Sequence, residues 1–241
     1  MASAADPVTQ AARAGDPDRY LAALYAPEPA RGVMIALAAF SADLDRIVSA
    51  VREPLLAEIR LQWWRDALSS AQRGDATGHP IADRLAPHLA SNLLPPGLLQ
   101  GMIDAAPRPD LAALAADPQA LNAHLNKSAG AAFGLAARAL GATHSDPLDA
   151  ACRNAAASYG LAQALVMAQT APPALIAAAS QALPAALSAV HRLDSAYLPA
   201  FLPLTMTPVY LRQAESGASG APMPLTRWWR LARANLTGRL G

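Results

Sequence analysis

Carboxylates, histidines and a cysteine are the groups in this 241-residue chain that could bind a metal or move a proton. Two carboxylates one helical turn apart point the same way and can share a divalent cation. The 18 acidic residues contain no such i,i+4 pair. His79, His88, His124, His144 and His191 lie in no HExxH or HxxxH pattern, so surface and loop positions are expected and metal ligation is not. Cys152 stands alone, which excludes a disulfide framework and a cysteine zinc site and makes packing its expected role. Serine nucleophile elbows and phosphate-cradling glycine loops are absent. The residues left as candidates are Asp45, Arg60, Trp64, Tyr159, Gln163 and an arginine–tryptophan segment near the C-terminus.

Helices must position them. Ala and Leu, 61 and 35 residues, form about two fifths of the chain, against 3 Phe and 5 Tyr. Ala and Leu lead the helix-propensity ranking, whereas the residues that fill strands are scarce. An all-α domain is expected. An apolar share of 53% with a net charge of +1 excludes disorder and gives no field for nucleic acid. Asp16-Pro17, Asp117-Pro118 and Asp146-Pro147 each set an N-cap acceptor before a proline at the first helical position. Helices are expected near 17–26, 30–51, 54–73, 80–92, 96–106, 118–140, 147–170, 173–193 and 225–238. The chain divides into a flexible N-terminus (1–15), a helical body (16–193), a Pro-rich irregular arm (194–224) and a basic amphipathic helix (225–241).

On helix 30–51, Leu37, Phe40, Leu44, Ile47, Val48 and Val51 share a face, with Ser41, Asp45 and Ser49 in a column at its edge. On helix 54–73, Leu56, Ile59, Trp63 and Ala67 make an apolar face that contains Arg60. A buried guanidinium needs an acceptor, and Asp45 is the one offered by the preceding helix. Two readings stay open: an Arg60–Asp45 contact, or Arg60 reaching water along its stem. Trp63 and Trp64 read as core and interface aromatics. Tyr159 and Gln163, one turn apart, either face the bundle centre or simply pack.

The run 154–191 holds no Asp, Glu, Lys or Arg and is long enough to span a bilayer. Gln163, Gln169, Pro172, Pro173, Gln181 and Pro184 interrupt it, so it reads as two buried helices. No apolar signal core lies in the first 15 residues, and a cytoplasmic location is expected. No acid follows Glu215. On the last helix Leu225, Trp228, Trp229, Ala232, Leu236 and Leu240 gather opposite Arg227, Arg230 and Arg233, the pattern of an anchor lying on an anionic inner-membrane surface. Docking on the bundle is the other reading.

Several stretches resemble the squalene/phytoene synthase family. They are Asp16-Pro-Asp-Arg-Tyr-Leu-Ala-Ala-Leu-Tyr25, Ala38-Ala-Phe40 and above all Glu58-Ile-Arg-Leu-Gln-Trp-Trp-Arg-Asp-Ala-Leu68. Lys127-Ser-Ala-Gly130, Leu135-Ala-Ala-Arg-Ala-Leu-Gly141 and Ser158-Tyr-Gly-Leu-Ala162 follow in the family's order. The flavour is that of the branch holding the mitochondrial complex I assembly factor and its alphaproteobacterial relatives. The resemblance covers about residues 16–170 and implies the all-α isoprenoid synthase fold, a bundle around a central apolar cavity.

The family's enzymes join two prenyl diphosphates head to head, and Mg²⁺ held by two Asp-x-x-x-Asp motifs assists diphosphate departure. At the first motif this chain keeps only Asp45, followed four residues on by Ser49, and no acid lies between Asp149 and Asp194 where the second belongs. The resemblance thus implies a degenerate homologue with no metal cofactor, acting as an assembly or scaffold factor. Complex I assembly intermediates are its first candidate partner. An Mg²⁺-dependent prenyl transferase and a peripheral lipid-binding module with an isoprenoid or lipid in the cavity are the alternatives.

Overall fold

The computed structural model describes residues 6–50, 53–107, 110–168, 171–218 and 222–240. Among them every regular element is helical. The first half holds α1 (Pro7–Gly15), α2 (Pro17–Ala23), α3 (Ala30–Ala50), α4 (Pro54–Gln72), α5 (Pro80–Ala90) and α6 (Pro96–Asp104). The second holds α7 (Leu111–Ala116), α8 (Pro118–Leu125), α9 (Ala131–Ala139), α10 (Asp146–Ala155), α11 (Leu161–Met167), α12 (Pro173–Val190), α13 (Leu198–Phe201), α14 (Thr207–Ser216) and α15 (Pro224–Thr237). The helix starts follow the sequence. Asp16 and Asp117 accept backbone N–H bonds ahead of Pro17 and Pro118, while Ser145, one residue before the Asp146 expected there, caps α10.

One core packs α3 to α6 around Phe40, Trp64, Leu85 and Leu99; a second surrounds Phe133, Tyr159 and Phe201. Two long helices each carry a π turn, Asn126–Gly130 between α8 and α9 and Ala156–Gly160 between α10 and α11. These turns lie against each other. A Cβ on Gly160 would stand 2.5 Å from the Ala129 Cβ, so the approach requires glycine. A π turn adds a residue to the helical repeat and re-aims its side chains; Tyr159 sits in one and is fully buried.

Several expectations are corrected. Residues 7–15 are not a flexible terminus but α1, with Val8 and Ala12 buried. The segment 194–224 is mostly helical, because its prolines occupy first-turn positions of α13, the 3-10 turn Leu202–Met206 and α14, where a missing N–H costs nothing. On α4 the expected face is largely the wrong one: Ala67 is buried as expected, but Leu56, Ile59 and Trp63 are exposed, and Leu61, Trp64, Leu68 and Ala71 are buried instead. Trp64 decides the rotation. It packs edge-on against Phe40, and its Nε1 donates to Asp43 Oδ2 at 2.9 Å.

Helix α12 is, among the described residues, the one helix long and apolar enough to cross a membrane. It buries one face through Leu175, Ala179, Ala186, Ala189 and Val190, and its Ala/Ser/Gln faces are exposed, so it is not buried all round as expected. Val51, Gln169, and the expected flexibility of residues 1–5 and irregularity of 219–221 lie outside the described residues.

Candidate functional site

Asp18 lies in the first turn of α2 and is 1% exposed. The preceding residues pin that turn. Asp16 accepts from the Arg19 backbone N–H at 3.2 Å and from Arg19 Nη1 at 2.7 Å. Asp18 is then met by three elements far away in sequence. Tyr159 Oη donates to Oδ2 at 2.9 Å from the π turn, and Tyr210 Oη to the same oxygen at 2.6 Å from α14. Arg227 Nε donates to Oδ1 from α15. The Arg19 guanidinium lies over the rings of Phe133 and Tyr159, 5.6 and 5.5 Å from their centroids, a cation–π arrangement.

Burial pushes the Asp18 carboxyl above its ordinary value, with Arg227 and the Tyr210 hydrogen bond pulling the other way. Burial and the Asp18 charge also push the Tyr159 and Tyr210 phenols up, which keeps both as donors. Burial opposes the charge on Arg19, but Asp16 more than restores it. Two carboxylates thus face two guanidiniums, and the cluster is closed electrostatically, as buried charges require. Asp18 uses three of about four acceptor sites on these donors. A carboxylate so engaged is not poised as a base or a metal ligand.

The nearest cavity is lined by Arg19, Ala22, Met34, Leu37, Ala136 and Pro203 among others. Its volume is about 10 Å³, room for about one water. Among the described residues no three His, Cys, Asp or Glu side chains gather to hold a metal ion.

Of the candidates, Tyr159 and Arg227 stand at this centre. Gln163 is half-buried and takes no part in the Asp18 hydrogen bonds. Asp45 is exposed on α3, although Arg19 feels its charge. Arg60 is exposed and pairs with no carboxylate among the described residues, so the Arg60–Asp45 contact does not form. The cause is the α4 rotation set by Trp64. Arg227 moves the other way. Expected on a membrane-facing side, it is 6% exposed and holds Asp18, which turns the line Arg227, Leu231, Ala234 inward and Leu225, Trp228, Trp229 and Leu236 outward. Arg233 is exposed; Arg230 is half-buried, its Nη1 donating to the Thr205 carbonyl at 3.2 Å.

Asp16, Asp18, Arg19 and Tyr210 are site residues that sequence reasoning missed. The run Asp16-Pro-Asp-Arg19 is their one local trace, and it reads equally well as a helix start.

The family model for squalene/phytoene synthase matches residues 12–168 of this chain. Among curated proteins none matches it.

Proposed function

The chain belongs to the squalene/phytoene synthase family, and we propose that within it the protein is a non-catalytic assembly or scaffold factor. One observation carries the reading: Asp18, the carboxylate at the bundle centre, is consumed by Arg227, Tyr159 and Tyr210. Head-to-head prenyl transfer needs carboxylates free to hold Mg²⁺ against two diphosphates. The residues here do not fit that ion. Asp16 and Asp18 are engaged by arginines, Asp43 is shared by Arg46 and Trp64, and Asp45 is exposed on α3.

A scaffold role calls for an outward surface. Helix α4 supplies one, because Ile59 and Trp63, on the stretch that carries the strongest family resemblance, are exposed together with Leu55 and Leu56 just before it. Respiratory complex I assembly intermediates are the first partner to try, a choice that rests on the resemblance of residues 58–68.

Diphosphate release from farnesyl and geranylgeranyl diphosphate with Mg²⁺ tests the reading, run beside an authentic family enzyme. No turnover by the folded protein is expected. Turnover abolished by Asp45→Asn would replace the scaffold reading with a prenyl transferase. Capture of complex I intermediates by wild type, lost in Leu56→Ser/Ile59→Ser, supports the partner; equal capture by both removes the α4 surface from the account.

A further inference from the structure

A second concavity lies between α12, the turn Leu202–Met206 and α15. It has a volume of about 250 Å³, and its lining includes Leu183, Leu187, Trp229, Arg230, Arg233 and Arg239. Three guanidinium groups therefore border one groove, and among the described residues no carboxylate lines it. No ion pair among the described residues neutralises Arg230, Arg233 or Arg239. Arg230 is fixed by the Thr205 carbonyl, which leaves its charge uncompensated. Burial, then the like charges of Arg212 and Arg233, push its guanidinium pKa down. This folded chain thus holds positive charges close together at a cost, in a groove of ligand size, where an anion would relieve the repulsion.

The chemistry of that anion is narrowed by its surroundings. A carboxylate takes one guanidinium fork, whereas a phosphate group can accept from several arginines at once. The groove floor is apolar at Leu183 and Leu187. Its rim is the outward side of α15, where Leu225, Trp228, Trp229 and Leu236 are 54–84% exposed. Exposed tryptophans beside arginines suit the boundary between headgroups and acyl chains.

We propose that this groove binds a phosphate group, presented by an anionic phospholipid, with Arg230, Arg233 and Arg239 around the phosphate and Trp228 and Trp229 set among the lipids. The reading is independent of whether the chain is catalytic. It differs from the anchor expected from sequence, because Arg227 is inside the bundle and the anion site is a groove built by three elements.

Co-sedimentation with vesicles of phosphatidylcholine, alone or mixed with phosphatidylglycerol, tests it on the full chain. Arg233→Gln/Arg239→Gln removes two exposed groove charges, while Arg73→Gln/Arg192→Gln removes two exposed charges elsewhere. Circular dichroism establishes that both variants fold. Binding to the anionic vesicles is expected for wild type and the control, with a loss of about tenfold or more in the groove variant. Equal loss in both variants would mean non-specific attraction and overturns the site. So does an absence of vesicle binding. Inorganic diphosphate bound at the groove with vesicle binding unaffected overturns the lipid source, and preferential binding of a polyglutamate peptide overturns the phosphate assignment.

Discussion

Asp18 and Arg227 form a hydrogen-bonded ion pair sealed inside the bundle, across 209 positions of sequence. It ties α2, near the start of the chain, to α15, at its end. The last helix is therefore part of the fold and not an appendage. A deletion of residues 224–241 leaves Asp18 facing the core without its counter-charge, and the truncated chain is expected to lose cooperative unfolding. Membrane binding is consequently better tested by point variants on the exposed side of α15 than by truncation.

Arg227→Met is expected to destabilise the protein by about 3–5 kcal/mol, read as a shift in the urea midpoint, because it strands a buried carboxylate. Asp18→Asn strands a guanidinium and costs a similar amount. The double variant strands neither, so its loss should fall well short of the sum. The pH dependence has a definite sign. Burial raises the Asp18 carboxyl above its ordinary 3.8, so the folded chain holds this proton more tightly than the unfolded one. Its contribution to stability grows as pH falls from the raised value toward 3.8. In Arg227→Met the main opposing pull is gone, and that gain should begin at higher pH and be larger. Additive single-variant losses, or a pH profile unchanged in Arg227→Met, would contradict the pairing.

The two tyrosines can be separated from their rings. Tyr159→Phe keeps the edge-on packing against Phe133 and Tyr210, whose centroids lie 5.7 and 5.9 Å away. What it removes is one donor to a buried carboxylate, at a cost of about 1–3 kcal/mol. Tyr210→Phe should cost an amount in the same range. Chemical denaturation of both checks this; a loss near zero in either would mean that the hydroxyl does not hold Asp18.

Gly160 gives a steric prediction with a built-in control. Gly160→Ala places a methyl 2.5 Å from the Ala129 Cβ at the crossing of the two π turns. Overpacking of this kind costs about 1–3 kcal/mol. Adding Ala129→Gly opens the space, and thermal unfolding should show partial recovery even though Ala129→Gly alone is itself unfavourable by about 0.5–1 kcal/mol. No recovery in the double variant would locate the damage elsewhere.

What the sequence disclosed about this fold follows from the range of the interactions involved. Helix starts at Asp16-Pro17 and Asp117-Pro118 were legible because cap and proline lie next to each other. The all-α class was legible from composition. The face of α4 was not: Leu56, Ile59 and Trp63 form one apolar stripe and Leu61, Trp64 and Leu68 another, and only Phe40 and Asp43 of the neighbouring helix choose between them. The same holds for α15, where a helical wheel puts Arg227 among the solvated residues and the buried charge of Asp18 brings it inside. Asp18 itself was invisible, since its partners stand 141 to 209 residues away and its local setting is that of any acid in a helix's first turn.

Cys152 offers a final check on how tightly the second core is closed. Its sulfur lies 3.8 Å from where a Cβ on Gly134 would stand, between α10 and α9. Burial, and after it the Asp149 charge, push the thiol up to about 12. The thiolate is the reactive form, so near pH 8 the native protein should react with a thiol reagent at least about a hundredfold more slowly than a free cysteine. In urea the chain opens, the thiol returns to its ordinary value of 9.0, and labelling should accelerate together with the loss of helical signal. The group also sets a sign at high pH: the folded state holds the thiol proton more tightly, so this part of the stability falls as pH climbs from 9.0 toward about 12. Rapid labelling in the native state, ahead of any loss of helix, would mean that α9 and α10 separate locally and that this core is less closed than its packing indicates.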